Sequence, residues 1–247
     1  MKSLRQMFWL GPFLLLISIS AQAQPHCDIS SDLSASIAEF NAQQVSRIEA
    51  LLMLGEQYNL CLGIEYVDRN LLTDLVDIHV KSGTAATAID SILSPTRGLT
   101  IERRNGAIEI RQRVSADKVR NIFGYVIPKW ESSRGPIQVV SLLLHWALVS
   151  ELNHQLSGFG GHTGGGNPQD LVGPFNENDQ SVRDLLDKVV AQSKGAAWIS
   201  EVSGDQVTDL GLPEKRRIWM IVEYGGPKDQ YPDLLRAIAD QLPPQVK

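Results

Sequence analysis

The chain has 247 residues, a hydrophobic fraction of 43% and a formal net charge of −5 at pH 7. A hydrophobic share of that size supports a genuine core, and the length suits one large or two small domains. The acidic balance argues against nucleic-acid binding and against adhesion to anionic lipid.

Lys2 and Arg5 precede an apolar run from Met7 to Ile19, and Ala21-Gln22-Ala23 follows it. This is the pattern of a cleavable signal peptide over 1–23, with a cut expected between Ala23 and Gln24. The competing reading is an uncleaved anchor. A spanning helix wants roughly 20 apolar residues, and this run is shorter and broken by Gly11-Pro12. Cys27 follows Gln24-Pro25-His26, which does not fit a lipid-attachment cysteine placed directly after the apolar stretch. Cleavage removes two basic groups and leaves 21 against 28 acidic ones, a formal charge of about −7. The expected location is the periplasm, and no other stretch is long and apolar enough to cross a bilayer. Cys27 and Cys61 are the two cysteines. In an oxidising compartment the expected state is one Cys27–Cys61 disulfide, which contributes roughly 3 kcal/mol by loop entropy. Two buried thiols or a redox pair are the alternatives, and a C-x-x-C motif is absent.

Ser46-x-x-Glu49 has the form of a capping box, and Val45, Ile48, Leu51, Leu52 and Leu54 keep helical spacing over 45–57. Cys61 to Val67 reads as a strand, and Leu75 to Val80 as a second. Thr84 to Leu93 is a helix with Ala85, Ala88, Ile89, Ile92 and Leu93 on one face, ended by Pro95 and Gly98. Strands 99–103 and 107–111 follow, joined by Asn105-Gly106, a strong hairpin signal. After a connector over 113–135, Pro136 opens a helix through Val140, Leu143, Trp146 and Leu148. Residues 157–168, dominated by glycine, are expected to hold no regular element. A strand is expected over 171–175. Ser181-x-x-Asp184 caps a helix with Val182, Leu185, Leu186, Val189 and Val190 on its apolar face, and strands 196–202 and 217–224 close the unit. A shift of 97 lays Thr84 on Ser181, Gly98 on Gly195 and one apolar helix face on the other. The expected class is therefore α+β, a tandem repeat of a helix, strand, strand, helix, hairpin unit. The units span 24–112 and 136–226, and a C-terminal helix and tail occupy 227–247.

The stretch Ile48–Leu54, Asn59–Tyr66, Val80–Thr84, Ala88–Leu93, Gly98–Ile101 and Asn105–Ile110 resembles the short N-terminal domain shared by secretins and TonB-dependent receptors. Residues 137–224 look like a degenerate second copy. The resemblance implies a periplasmic domain that makes protein–protein contacts, signalling to envelope regulators or stacking as rings under an outer-membrane channel, and no catalysis. The sequence ends at Lys247 with no barrel or pore strands behind the resemblance. The channel role is accordingly not carried over.

Chemistry-bearing patterns are sparse. The glycine run 158–166 lacks the Lys-Ser/Thr of a phosphate loop, and Thr163 stands where a dinucleotide fingerprint needs its third glycine. His145, His154 and His162 match no metal-ligand spacing; His79 is read as a fold residue, and Gly-x-Ser-x-Gly is absent. No catalytic, cofactor-binding or metal residue is therefore assigned. The all-round apolar helix 137–150 is expected to be buried between the two units rather than to form an exposed interaction face. The helix near 232–242, with Leu234, Leu235, Ile238 and Leu242, is expected to dock on its own domain. The expected function is a non-catalytic interaction module for an envelope protein, of unknown oligomeric state. The alternative is a small-molecule or cell-wall glycan binder that uses 158–166 as a lid and Trp130, Trp146 or Trp198 as stacking surfaces.

Overall fold

The computed structural model describes residues 33–66, 70–96, 98–112, 122–151, 159–162, 171–193, 195–201 and 217–224. The expected signal segment 1–23 with its expected cut between Ala23 and Gln24, Cys27, His154 and the helix expected near 232–242 lie outside the described residues.

The fold is α+β. In chain order the first unit is β1 (Ser36–Ile37), β2 (Phe40–Ser46), α1 (Arg47–Tyr58), β3 (Leu62–Tyr66), α2 (Asn70–Thr73), β4 (Leu75–Val80), β5 (Gly83–Thr84), α3 (Ala85–Leu93), β6 (Leu99–Arg104) and β7 (Ala107–Gln112). The second is β8 (Val126–Ser132), β9 (Gly135–Pro136), α4 (Ile137–Glu151), β10 (Phe159–His162), β11 (Leu171–Val172), β12 (Phe175–Ser181), α5 (Val182–Ala191), β13 (Ala196–Glu201) and β14 (Arg217–Glu223).

Capping chemistry starts the helices where the sequence places them. Ser46 Oγ accepts the Glu49 amide at 3.1 Å, and Thr84 and Thr87 form a reciprocal box at the head of α3. Asn59, in the left-handed region at φ 53°, stops α1. Asn105 and Gly106, at φ 49° and 89°, make the two-residue turn between β6 and β7.

Each unit begins with a two-stranded antiparallel ribbon. In the first, β1-β2 pairs with β4-β5; in the second, β8-β9 pairs with β11-β12. All four ribbon sides run directly into a helix. The remaining strands form one mixed sheet in the order β10-β14-β13-β3-β7-β6, joined at its centre by the parallel β13–β3 ladder. Strand alternation sends β-residues to two cores. Leu62, Ile64, Ile108, Ile110, Ala197, Ile199 and Val222 pack with α1 and α3 on one face. Ala107, Ala196, Trp198 and Ile221 pack with α4 and α5 on the other. Each helix pair lies between the shared sheet and its own ribbon, whose Phe40 and Val80, or Ile127, Trp130 and Phe175, close the core from outside.

Three expectations are corrected. The connector over 113–135 contains a 3-10 turn at Ile122–Gly124 and all of β8, so the second ribbon begins well before 136. The glycine-rich segment expected to hold no regular element contains β10, which pairs in parallel with β14. The strand expected over 171–175 is confined to Leu171–Val172, and the longer polar strand β12 follows it.

Candidate functional site

Where the two units meet, the sheet face beneath α5 is charged. Glu65 on β3 and Glu109 on β7 are fully buried, with Arg183 and Asp187, one turn apart on α5, above them. The Arg183 guanidinium donates to Glu65 Oε2 from Nε at 2.9 Å and from Nη2 at 2.7 Å. Its Nε also lies 2.9 Å from Glu109 Oε1, an ion-pair distance without hydrogen-bond alignment, since neither Glu109 oxygen has a hydrogen-bond partner. Burial pushes the Glu109 carboxyl up to about 7, against the opposing pull of Arg111 and Arg183. Burial also raises Asp187 well above the ordinary range, although Trp198 Nε1 donates to its Oδ1 at 2.7 Å.

The rim of this joint behaves differently. Asp184 Oδ1 accepts from Arg104 Nε at 2.6 Å and from Asn105 at 2.7 Å, and Ser181 Oγ donates to its Oδ2 at 2.5 Å. Burial alone raises the Asp184 carboxyl, but these three donors outweigh it and hold the group low. They tie the β6–β7 turn of the first unit to the head of α5 in the second. Because Glu65, Glu109 and Asp187 are sealed under α5 with almost no exposed surface, the arrangement neutralises charge within a joint.

The exposed candidate is α4. Ile137, Val140, Leu144, Leu148 and Val149 face the core. Val139, Leu142, Leu143 and Trp146 are 48%, 42%, 42% and 55% exposed. Their spacing places four large apolar side chains in one row along the helix. The expectation that α4 is buried between both units is therefore corrected: it packs within the second unit, and among the described residues nothing covers one apolar side.

The remaining candidate residues are dispersed. His145 is buried on α4 with its ring edge toward Trp146, and His79 Nδ1 hydrogen-bonds Asn41 across the β2–β4 ribbon. His162 lies on β10. Among the described residues no three His, Cys, Asp or Glu side chains are grouped to hold a metal ion. Trp198 is fully buried and stacked on Phe123 at 5.6 Å; Trp130 is buried and stacked on Phe175 at 5.0 Å. Neither offers a stacking surface to a glycan, and of the three tryptophans Trp146 alone is exposed. Of the lid expected over 158–166, residues 159–162 belong to the sheet as β10, and 158 and 163–166 lie outside the described residues. Cys61 is buried, with Sγ 3.0 Å from the Val190 carbonyl oxygen. Among the described residues no helix is long and apolar enough to cross a membrane.

Sequence reasoning missed the joint because nothing local marks it. Glu65 and Glu109 look like polar residues of half-exposed strands, and the cation that meets them comes from the other half of the chain. Comparison with protein-family models, curated proteins and solved structures returns no match to this chain.

Proposed function

We propose that this chain is an exported, periplasmic and non-catalytic interaction module of the cell envelope, related to the short N-terminal domain of secretins and TonB-dependent receptors. The observation that carries the proposal is the α4 row. Four large apolar residues on one helix side are an unusual surface for a chain that stays alone, and such rows dock into apolar grooves of partner proteins. The partner is a protein of the envelope, since the chain carries an export signal. The Cys27–Cys61 disulfide belongs to the same proposal, as the covalent tie of the N-terminal lead to the Cys61 end of β3.

The test is photo-crosslinking in intact cells with a photoreactive residue at Leu142 or Trp146. The control position is Leu75, 62% exposed on the first ribbon. The expected outcome is a reproducible envelope protein captured from both α4 positions and not from 75, with capture from 142 lost in Trp146→Ser. Equal capture from all three positions, or none from any, sinks the reading.

A further inference from the structure

The six-stranded sheet holds one three-strand pattern twice. In β3-β7-β6 the first two strands are parallel and the third is antiparallel to its neighbour; β10-β14-β13 has the same order and senses. The registers correspond over the stretch after the irregularity between Phe159 and Gly161 in the β10–β14 ladder. Leu99 faces Gln112 as Ala196 faces Glu223, and Ile64 faces Ile110 as His162 faces Ile221. The β13–β3 ladder therefore joins the last strand of one pattern to the first strand of the other. The counterpart of β13 is β6, and the counterpart of β3 is β10. Among the described residues these two strands end the sheet, each paired on one side only.

We propose that copies of this chain add edge to edge, β6 of one copy pairing in parallel with β10 of the next as β13 pairs with β3 within the chain. This deepens the interaction-module reading and rests on it, naming a second copy as one partner. Carrying the internal register across places Ile101 opposite Gly161 and Glu102 opposite His162, the counterparts of Trp198–Gly63 and Ile199–Ile64.

The edge is ready for addition. Arg104 and Ala107 close a two-residue turn, so antiparallel alternation leaves the backbone groups of Leu99, Ile101 and Arg103 directed away from β7. β6 carries no proline, and its ladder has no bulge, two of the devices by which sheet edges are commonly blocked. Among the described residues the two ribbons also have open sides, but no ladder there uses a counterpart of those sides.

The helices agree. α4 starts at 137 as α1 starts at 47, which places Leu142 where α1 has Leu52. Leu52 is fully buried on a helix that packs against α2 and against β13 of the neighbouring unit, whereas Leu142 is 42% exposed. In the assembly α4 takes the place of α1 over an incoming β6. Successive units put their helices on opposite faces, a half-turn about the axis that crosses the strands. One whole chain then leads to the next by a step along the sheet plus its twist, about −20 to −25° per strand. Such head-to-tail pairing does not close on itself and grows an open series.

The experiment is sedimentation of the full exported chain across concentrations. The expected result is a mass that climbs past the dimer as concentration rises. Arg103→Pro sits at an exposed position whose amide is directed outward, so the β6–β7 hairpin survives, as unchanged thermal unfolding should show. That variant alone is expected to lose all concentration dependence. Mixed into the unaltered chain in small proportion it should shorten the assemblies, because its β10 still adds and its β6 does not. Should Arg103→Pro unfold, a photoreactive residue at 103 replaces it, and its crosslinks are expected in the 159–162 segment of a second copy. A chain that stays monomeric up to its solubility limit overturns the proposal, as do crosslinks that land elsewhere. A monomer that still captures an envelope protein through α4 overturns self-addition alone; a monomer that captures nothing overturns both readings.

Discussion

At position 63 a methyl group would stand 2.6 Å from the Trp198 indole nitrogen and 2.8 Å from Asp187 Oδ1. Glycine is thus a condition for the Trp198–Asp187 hydrogen bond, since Gly63 and Trp198 face each other across the central ladder. Replacing a strand glycine by alanine ordinarily stabilises by about 0.4–1 kcal/mol where the backbone permits it. Here Gly63→Ala is expected to destabilise by about 1–3 kcal/mol through overpacking. Urea unfolding monitored by tryptophan emission measures the sign; a stabilised variant removes this account of the joint. Glu109 gives a second residue-scale expectation. Its carboxyl titrates near 4.5 when unfolded and at about 7 when buried. Between those values the unfolded chain has released its proton and the folded chain keeps it. Stability therefore falls as pH rises through that window and levels off above it. Asp187, raised by the same burial, adds in the same sense. Glu109→Gln is expected to flatten the fall, seen as urea midpoints that change less with pH than those of the unaltered chain. An equal slope in both proteins would assign the titration to other groups.

Among the elements, those with a strong local signal were legible. α1, α3 and α5 each carry a hydroxyl cap and a periodic apolar face, and Asn105-Gly106 fixes its hairpin through two positive φ values. Of the long ribbon strands, β4 was legible at Leu75–Val80, whereas β2, β8 and β12 were not. β2 reads FNAQQVS and β12 reads FNENDQS; each buries few residues and is held by a partner strand far along the chain. Short-range alternation is weak there, and the pairing that stabilises them is invisible to a local window. β10 failed differently. Its Gly160-Gly161 pair argues for a loop, yet backbone pairing with β14 needs no side chain. The α4 helix was legible as a helix, but its uncovered side was not. A helix apolar all round is usually buried, but α4 lies over the edge strand β10, and among the described residues one of its sides stays open.

For the whole molecule the two units are not separable bodies. α1 packs on β13 from one face while α5 packs on β3 and β7 from the other, and Arg183 of the second unit neutralises carboxylates of the first. Removing either unit would expose one face of the other's sheet, and removing the second would leave Glu65 and Glu109 without their shared cation. The expected outcome in scanning calorimetry is a single transition whose calorimetric and van't Hoff enthalpies agree. Two resolved transitions would mean that the joint contributes little.

The chain order of the central ladder also sets a sequence of events in biosynthesis. Leu62 of β3 has its partner Ile108 of β7 within the first unit, but its other neighbour, Ala197, emerges only near the end. Until then the nascent first unit carries a bare inner edge, the kind of surface on which young chains stick to one another. Glu65 and Glu109 stand on that sheet without Arg183, and while ionised they keep it hydrated and mutually repellent. The carboxylates buried in the finished interior thus act as guards of the unfinished one, relieved when α5 arrives.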